Sequence, residues 1–267
     1  MRNEMKTKAI IIALGALLLL SGCSRSKVTP DMTTFDLTVR AESDGTRATV
    51  NGTTGAFAWE AGDQIAVHLN TVYQSATLTA AGTTTLTAAA GSVRNGYAIY
   101  PASVAAGTAD APVITLPASY SIASDLQSTS APLPMVALND PDSDLLYFHH
   151  VGGLMRITCV TIPAGTKTVT VTMDKGIAGS FTVTDPGTAT PTIAPGGTGT
   201  SVAFTVSSDG LASAASNVVL NLPVPCGTYA SMMVDVTPEN ASFPVVISAS
   251  MAIGRAEGRQ IKVTPAP

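Results

Sequence analysis

Three imidazoles are present in the chain, His68, His149 and His150. His149 and His150 sit in an alternating apolar stretch after Phe148, where neighbouring side chains point to opposite faces and do not readily chelate one ion together. Asp140, Asp142 and Asp144 have the alternate spacing with which carboxylates hold calcium. Pro141 and the missing Gly at the sixth and Glu at the twelfth loop position break that pattern, so a solvated acidic turn is expected there. No H-E-x-x-H, G-x-S-x-G or Walker sequence occurs, and no stretch gathers a nucleophile, a base and an oxyanion donor. We therefore expect no catalytic residue, no metal and no cofactor. Trp59 follows Phe57 at strand spacing and is expected in a core; the other use of such a ring is stacking on sugar. With Tyr97 and Tyr100 it would make a glycan-binding outer-membrane lipoprotein, the alternative function.

Cysteine chemistry says more. Arg2, Lys6 and Lys8 precede an apolar run, residues 9–20, which is the layout of an export signal. At about 1.5 Å per residue that run reaches roughly 18 Å, short of the roughly 30 Å needed to span a bilayer. It ends in Leu20-Ser21-Gly22-Cys23, which resembles the bacterial lipobox, where a leader is cut before a cysteine that is then lipidated. Residues 1–22 are thus expected to be a lipoprotein signal peptide and Cys23 the outer-membrane anchor, because several acyl chains make a stable tether. Export also permits a disulfide between the remaining Cys159 and Cys226, with two buried free thiols as the alternative.

The elements that must carry these residues are strands. After the leader 245 residues remain, with 11 basic against 17 acidic side chains, a net charge of −6 that gives nucleic acid no basic patch to bind. Ala and Val make up much of the apolar content, and Thr, Ser, Gly and Pro fill the gaps, the mixture of short strands joined by many turns. Phe35, Leu37 and Val39 alternate on one face of a first strand behind a polar tether, residues 23–32. Ile65, Val67 and Leu69 alternate likewise, and the Thr-Leu-Thr-Ala pieces around Gly82 read as a hairpin. The breaker-rich run 139–144 suggests a domain boundary. The expected architecture is all-β, two tandem antiparallel β-sandwiches covering residues 33–146 and 147–267.

Several strings, in this order, resemble the fimbrillin-type lipoproteins of Bacteroidales, the subunits and accessory adhesins of type V pili. They are Thr46-Arg47-Ala48-Thr49-Val50, Phe57-Ala58-Trp59-Glu60-x-Gly62-Asp63-x-Ile65-x-Val67, Tyr97-Ala98-x-Tyr100-Pro101, Pro134-Met135-x-Ala137 and Phe148-x-His150. The resemblance implies two transthyretin-like sandwiches at the cell surface or in a fimbrium. It implies an arginine-specific protease that trims the first strand, and a groove that accepts a strand from another subunit. A surface receptor on a host or another bacterium would be a further partner. Arg47-Ala48 matches the processing position by context, and Arg40-Ala41 is the second candidate. Cutting after Arg47 would release Phe35, Leu37 and Val39, worth roughly 5–9 kcal/mol of gross burial if all three were fully buried. The final alternation, Ile261 and Val263 before Pro265 and Pro267, is short for a donated strand.

Overall fold

A computed structural model describes residues 31–42, 59–79, 82–122, 133–206, 209–238 and 241–265. Its strands are β1 (Met32–Ala41), β2 (Gln64–Leu69), β3 (Val72–Thr77), β4 (Thr83–Ala89), β5 (Arg94–Tyr100), β6 (Ala105–Gly107), β7 (Pro112–Leu116), β8 (Ser119–Ser121), β9 (Met135–Leu138) and β10 (Leu145–His150). They continue as β11 (Gly153–Ile162), β12 (Thr166–Met173), β13 (Gly179–Thr182), β14 (Ser201–Thr205), β15 (Ala215–Val224), β16 (Gly227–Tyr229), β17 (Met232–Pro238), β18 (Phe243–Ile247), β19 (Met251–Ile253) and β20 (Gly258–Val263). The described residues contain no α-helix, so the molecule is all-β as its Thr- and Val-rich alternation predicts.

Seven strands form the first sheet, in the order β3-β2-β5-β9-β10-β1-β4. Its inward residues, among them Leu37, Val39, Ile65, Val67, Leu86, Met135, Leu146 and Phe148, make one apolar cluster. β3 and β4 follow one another in sequence but are not the ladder-paired hairpin expected around Gly82: β3 pairs with β2, and β4 pairs with β1. The two edges still meet through side chains. Gln74 Nε2 donates to the Thr87 carbonyl at 2.8 Å, and Thr84 Oγ1 to the Thr77 carbonyl at 2.7 Å. The sheet is thereby curled nearly shut, with its edges covered against chance pairing.

In the C-terminal half, the sheet β15-β11-β20 packs on the sheet β18-β17-β12-β14-β8. Met155, Ile157, Leu220 and Leu222 from the first interleave with Val169, Val171, Phe204 and Val234 from the second. A third cluster, with Ile99, Ile114 and Val136 beside Phe181, Val183 and Ile193, joins the two halves. Backbone pairing also crosses residue 146. β7 pairs with β13 and β8 with β14, and residue 146 itself lies inside β10. The run 139–144 is therefore a turn leading into β10, and segment 105–121 of the chain contributes strands to the C-terminal half.

Candidate functional site: the first strand and its socket

β1 is an interior strand built from two halves. Met32 to Thr38 run antiparallel to β4, from Met32 opposite Ala89 to Thr38 opposite Thr83. Thr38 to Ala41 then run parallel to β10, from Thr38 opposite Leu145 to Ala41 opposite Phe148. The change of partner happens at Thr38, which belongs to both ladders, and the next N–H, that of Val39, donates to the Gly82 carbonyl at 2.6 Å. Gly82 has φ +68, and a Cβ there would lie 2.7 Å from the Val39 carbonyl oxygen and 3.0 Å from Trp59 Cδ1. Only glycine fits so close an approach in the left-handed region without displacing β1.

Alternation sends Leu37 and Val39 into the core, 2% and 3% exposed, with Phe35 half-buried. Phe35 packs against the edge of the apolar cluster and also lies under a cation. The Arg94 guanidinium sits 5.7 Å from its ring centroid, a cation–π contact. Arg94 is itself buried at 2% exposure. Its Nη2 donates to the Ser143 carbonyl at 2.6 Å and the Pro141 carbonyl at 3.3 Å, and its Nη1 to Asn139 Oδ1 at 3.5 Å. Asn139 Nδ2 in turn donates to the carbonyls of His68 and Asn95. The turn 139–144 is held by this cation, and Asp144 lies 3.8 Å from it. No group of three or more His, Cys, Asp or Glu side chains among the described residues is arranged to hold a metal ion.

The far end of β1 is fastened by Glu42, which nothing in the sequence singles out. Its N–H donates to the Phe148 carbonyl at 2.9 Å, continuing the ladder with β10. Its carboxylate accepts from the His150 backbone N–H at 2.8 Å, faces His149 Nδ1 at 3.0 Å and takes a hydrogen bond from Arg255 Nη1. Burial pushes the Glu42 carboxyl up, but Arg255, His149 and the His150 N–H outweigh it and hold the carboxyl below its ordinary range. Arg255 reaches this point because its turn is pinned at the β10–β11 corner. The Ala256 N–H donates to the Gly152 carbonyl, and the Leu154 N–H to the Glu257 carbonyl. Both ends of β1 are thus tied by cations from distant segments, Arg94 and Arg255.

Arg47, Ala48 and Cys23 lie outside the described residues. Arg40 is exposed, but its backbone is in β1 opposite Tyr147. The bridge between Cys159 and Cys226 is not formed, and both thiols are free. Register explains this: Cys159 faces Val218, while Cys226 follows the pair Gly153–Val224 at the other end of the ladder. The six residue steps from Cys159 back to Gly153, at about 3.3 Å each, already put the two roughly 20 Å apart, far beyond disulfide reach. Burial pushes the Cys159 thiol up to about 12. His150 is buried and His149 half-exposed, on opposite faces as alternation requires. His68 Nδ1 pairs with Asn95 Oδ1 at 2.8 Å.

Trp59 and Tyr100 do not form a glycan platform. Their rings meet edge to face at 5.0 Å, Trp59 also packs on Phe148, and Tyr100 donates from its hydroxyl to Asp63 at 3.1 Å. Tyr97 is half-buried in the cluster joining the two halves. The three rings share no exposed plane.

A Bacteroides ovatus protein described as a candidate cell adhesion protein aligns over 88% of this chain and 92% of its own, with a TM-score of 0.51 and 11% identity. That likeness is one of fold. A candidate cell adhesion protein of Bacteroides thetaiotaomicron aligns over 86% of this chain and 92% of its own at TM-score 0.38 and 10% identity. A Bacteroides ovatus fimbrial protein aligns over 87% of this chain and 50% of its own at TM-score 0.39 and 9% identity. No family model matches the chain, and no curated protein matches it in sequence.

Proposed function

We propose that the chain is a surface lipoprotein of the fimbrillin type, a pilus subunit or accessory adhesin without catalysis, anchored through Cys23 and assembling by exchange of β1. One observation carries this reading. β1 is an interior strand that alone joins β4 to β10, so its departure opens a slot flanked by two unpaired strand edges, one on β4 and one on β10. Leu37 and Val39 lose full burial and Phe35 partial burial, roughly 4–7 kcal/mol gross, a large part of a typical 5–15 kcal/mol domain stability. A strand of like pattern from another subunit would restore both the ladder and the core, which is β-augmentation used for assembly. The fold shared with the Bacteroides ovatus protein supports this reading, as does the burial of the aromatic rings that the glycan alternative needs on the surface.

Processing would fall after Arg47 rather than Arg40. The Arg40 backbone is held in a ladder, and proteases act on extended segments that are free of one. The test is direct. The chain without its leader is treated with an arginine-specific protease, and its new N-terminus and particle size are followed. The expected result is an N-terminus at Ala48 and linear polymers by electron microscopy. An intact chain, or a trimmed chain that stays monomeric at high concentration, overturns the reading.

A further inference from the structure

Resting on that strand-exchange reading, we infer that the slot selects its incoming strand by charge as well as by shape. It takes a strand with a carboxylate five positions after the residue that replaces Leu37, seated on Arg255, His149 and the His150 N–H. A cut after Arg47 removes Glu42 together with β1, because both lie before the cut. It strands a guanidinium, an imidazole and a backbone N–H that had shared one carboxylate. The Glu42 side chain is only 10% exposed and that of Arg255 22%, so this is a lined recess and not a surface pair.

A neutral strand filling the apolar positions would cover the cation without answering it, and an unanswered buried charge is costly. A strand with Lys or Arg at that position would set two cations face to face. The geometry therefore admits one chemistry: an apolar residue, a second two positions on, and an acidic side chain three beyond that, the spacing of Leu37, Val39 and Glu42. The incoming strand must also run as β1 does, parallel to β10 and antiparallel to β4, for the carboxylate to arrive at this end. Phosphate or a free carboxylate lacks the strand that would carry it there, so the fitting partner is a protein segment of this pattern. A cut after Arg40 would leave Glu42 on the body of the protein and its recess filled.

The test uses the chain without its leader, carrying an inserted site for a sequence-specific protease within residues 43–58, so that nicking does not depend on Arg47. After nicking, the protein is offered fluorescent peptides copying residues 31–42, with Glu42 intact, Glu42→Gln or Glu42→Lys, and affinity is read by anisotropy. The intact peptide is expected to bind about tenfold or more tightly than Glu42→Gln, with Glu42→Lys weaker still. In the protein variant Arg255→Gln the gap between the intact and Gln peptides is expected to close. Equal binding of the intact and Gln peptides by the unaltered protein overturns this inference and leaves strand exchange standing. Uptake of no peptide at all overturns strand exchange, and the inference with it. If Arg255→Gln does not fold, the three-peptide series on the unaltered protein decides alone.

Discussion

Arg94 shows how a residue that resembles chemistry can be architecture. A buried guanidinium near carboxylates, histidine and asparagine is the raw material of a site, yet its donors go to the carbonyls of Ser143 and Pro141 and to Asn139. It holds the acidic turn that starts β10, and it carries the Phe35 ring. Arg94→Ala should therefore destabilise the fold by about 2–4 kcal/mol in urea unfolding, since it strands carbonyls the cation had satisfied. Asp142→Ala, on an exposed side chain of the same turn, should change stability by less than about 0.5 kcal/mol. At the same scale, the free thiols make a separate statement. Cys159, with its thiol pushed up to about 12 by burial, should resist maleimide until the protein unfolds, while half-buried Cys226 reacts first. Mass spectrometry of labelled peptides would check the order, and an oxidised mass for the native chain would contradict the register of β11 and β15.

At the scale of elements, β1 was legible because Phe35, Leu37 and Val39 alternate over a single strand, a local pattern that needs no partner to be read. Its neighbours were not legible. That β1 lies parallel to β10 depends on contacts more than a hundred residues away, and local alternation carries no information about which strand pairs with which. The hairpin expected around Gly82 failed for the same reason. The Thr79 N–H does donate to the Thr83 carbonyl at 2.8 Å, but each strand finds its ladder elsewhere, and side chains make the contacts between them. Trp59 was placed in the core by its spacing, and the boundary near residue 146 followed breakers that only make a turn. Gly82 offers the sharpest test of the partner change in β1. With φ +68 and the Val39 carbonyl 2.7 Å from a would-be Cβ, Gly82→Val should cost about 2 kcal/mol or more. It should also speed cleavage after Arg40 by loosening the strand, whereas Gly196→Ala, whose Cβ would meet only the Ala194 carbonyl oxygen at 3.8 Å, should leave that cleavage rate unchanged.

Across the whole molecule, Glu42 ties the first strand to a turn 213 residues later, and this tie is titratable. Its folded-state carboxyl is held below the ordinary value of 4.5 by Arg255, His149 and the His150 N–H, against the opposing push of burial. A carboxyl whose folded value is depressed takes up a proton more readily when unfolded. Its stabilisation is therefore complete above about pH 4.5 and is lost as the pH falls through the folded value. The expected outcome is that β1 loosens in mild acid before the rest of the fold. Taken relative to the intrinsic exchange rate at each pH, hydrogen exchange at the Glu42 and His150 amides should accelerate below about pH 4.5, while the amide of Val171, deep in the C-terminal core, keeps its protection. In Glu42→Gln the amide can still accept from the His150 N–H, but the charge is gone, so the acid-dependent part of that acceleration should vanish. Equal acceleration in both proteins would place the acid response elsewhere. An exchange profile that stays flat for the unaltered chain down to pH 3 would mean that the tie between β1 and Arg255 does not form in solution.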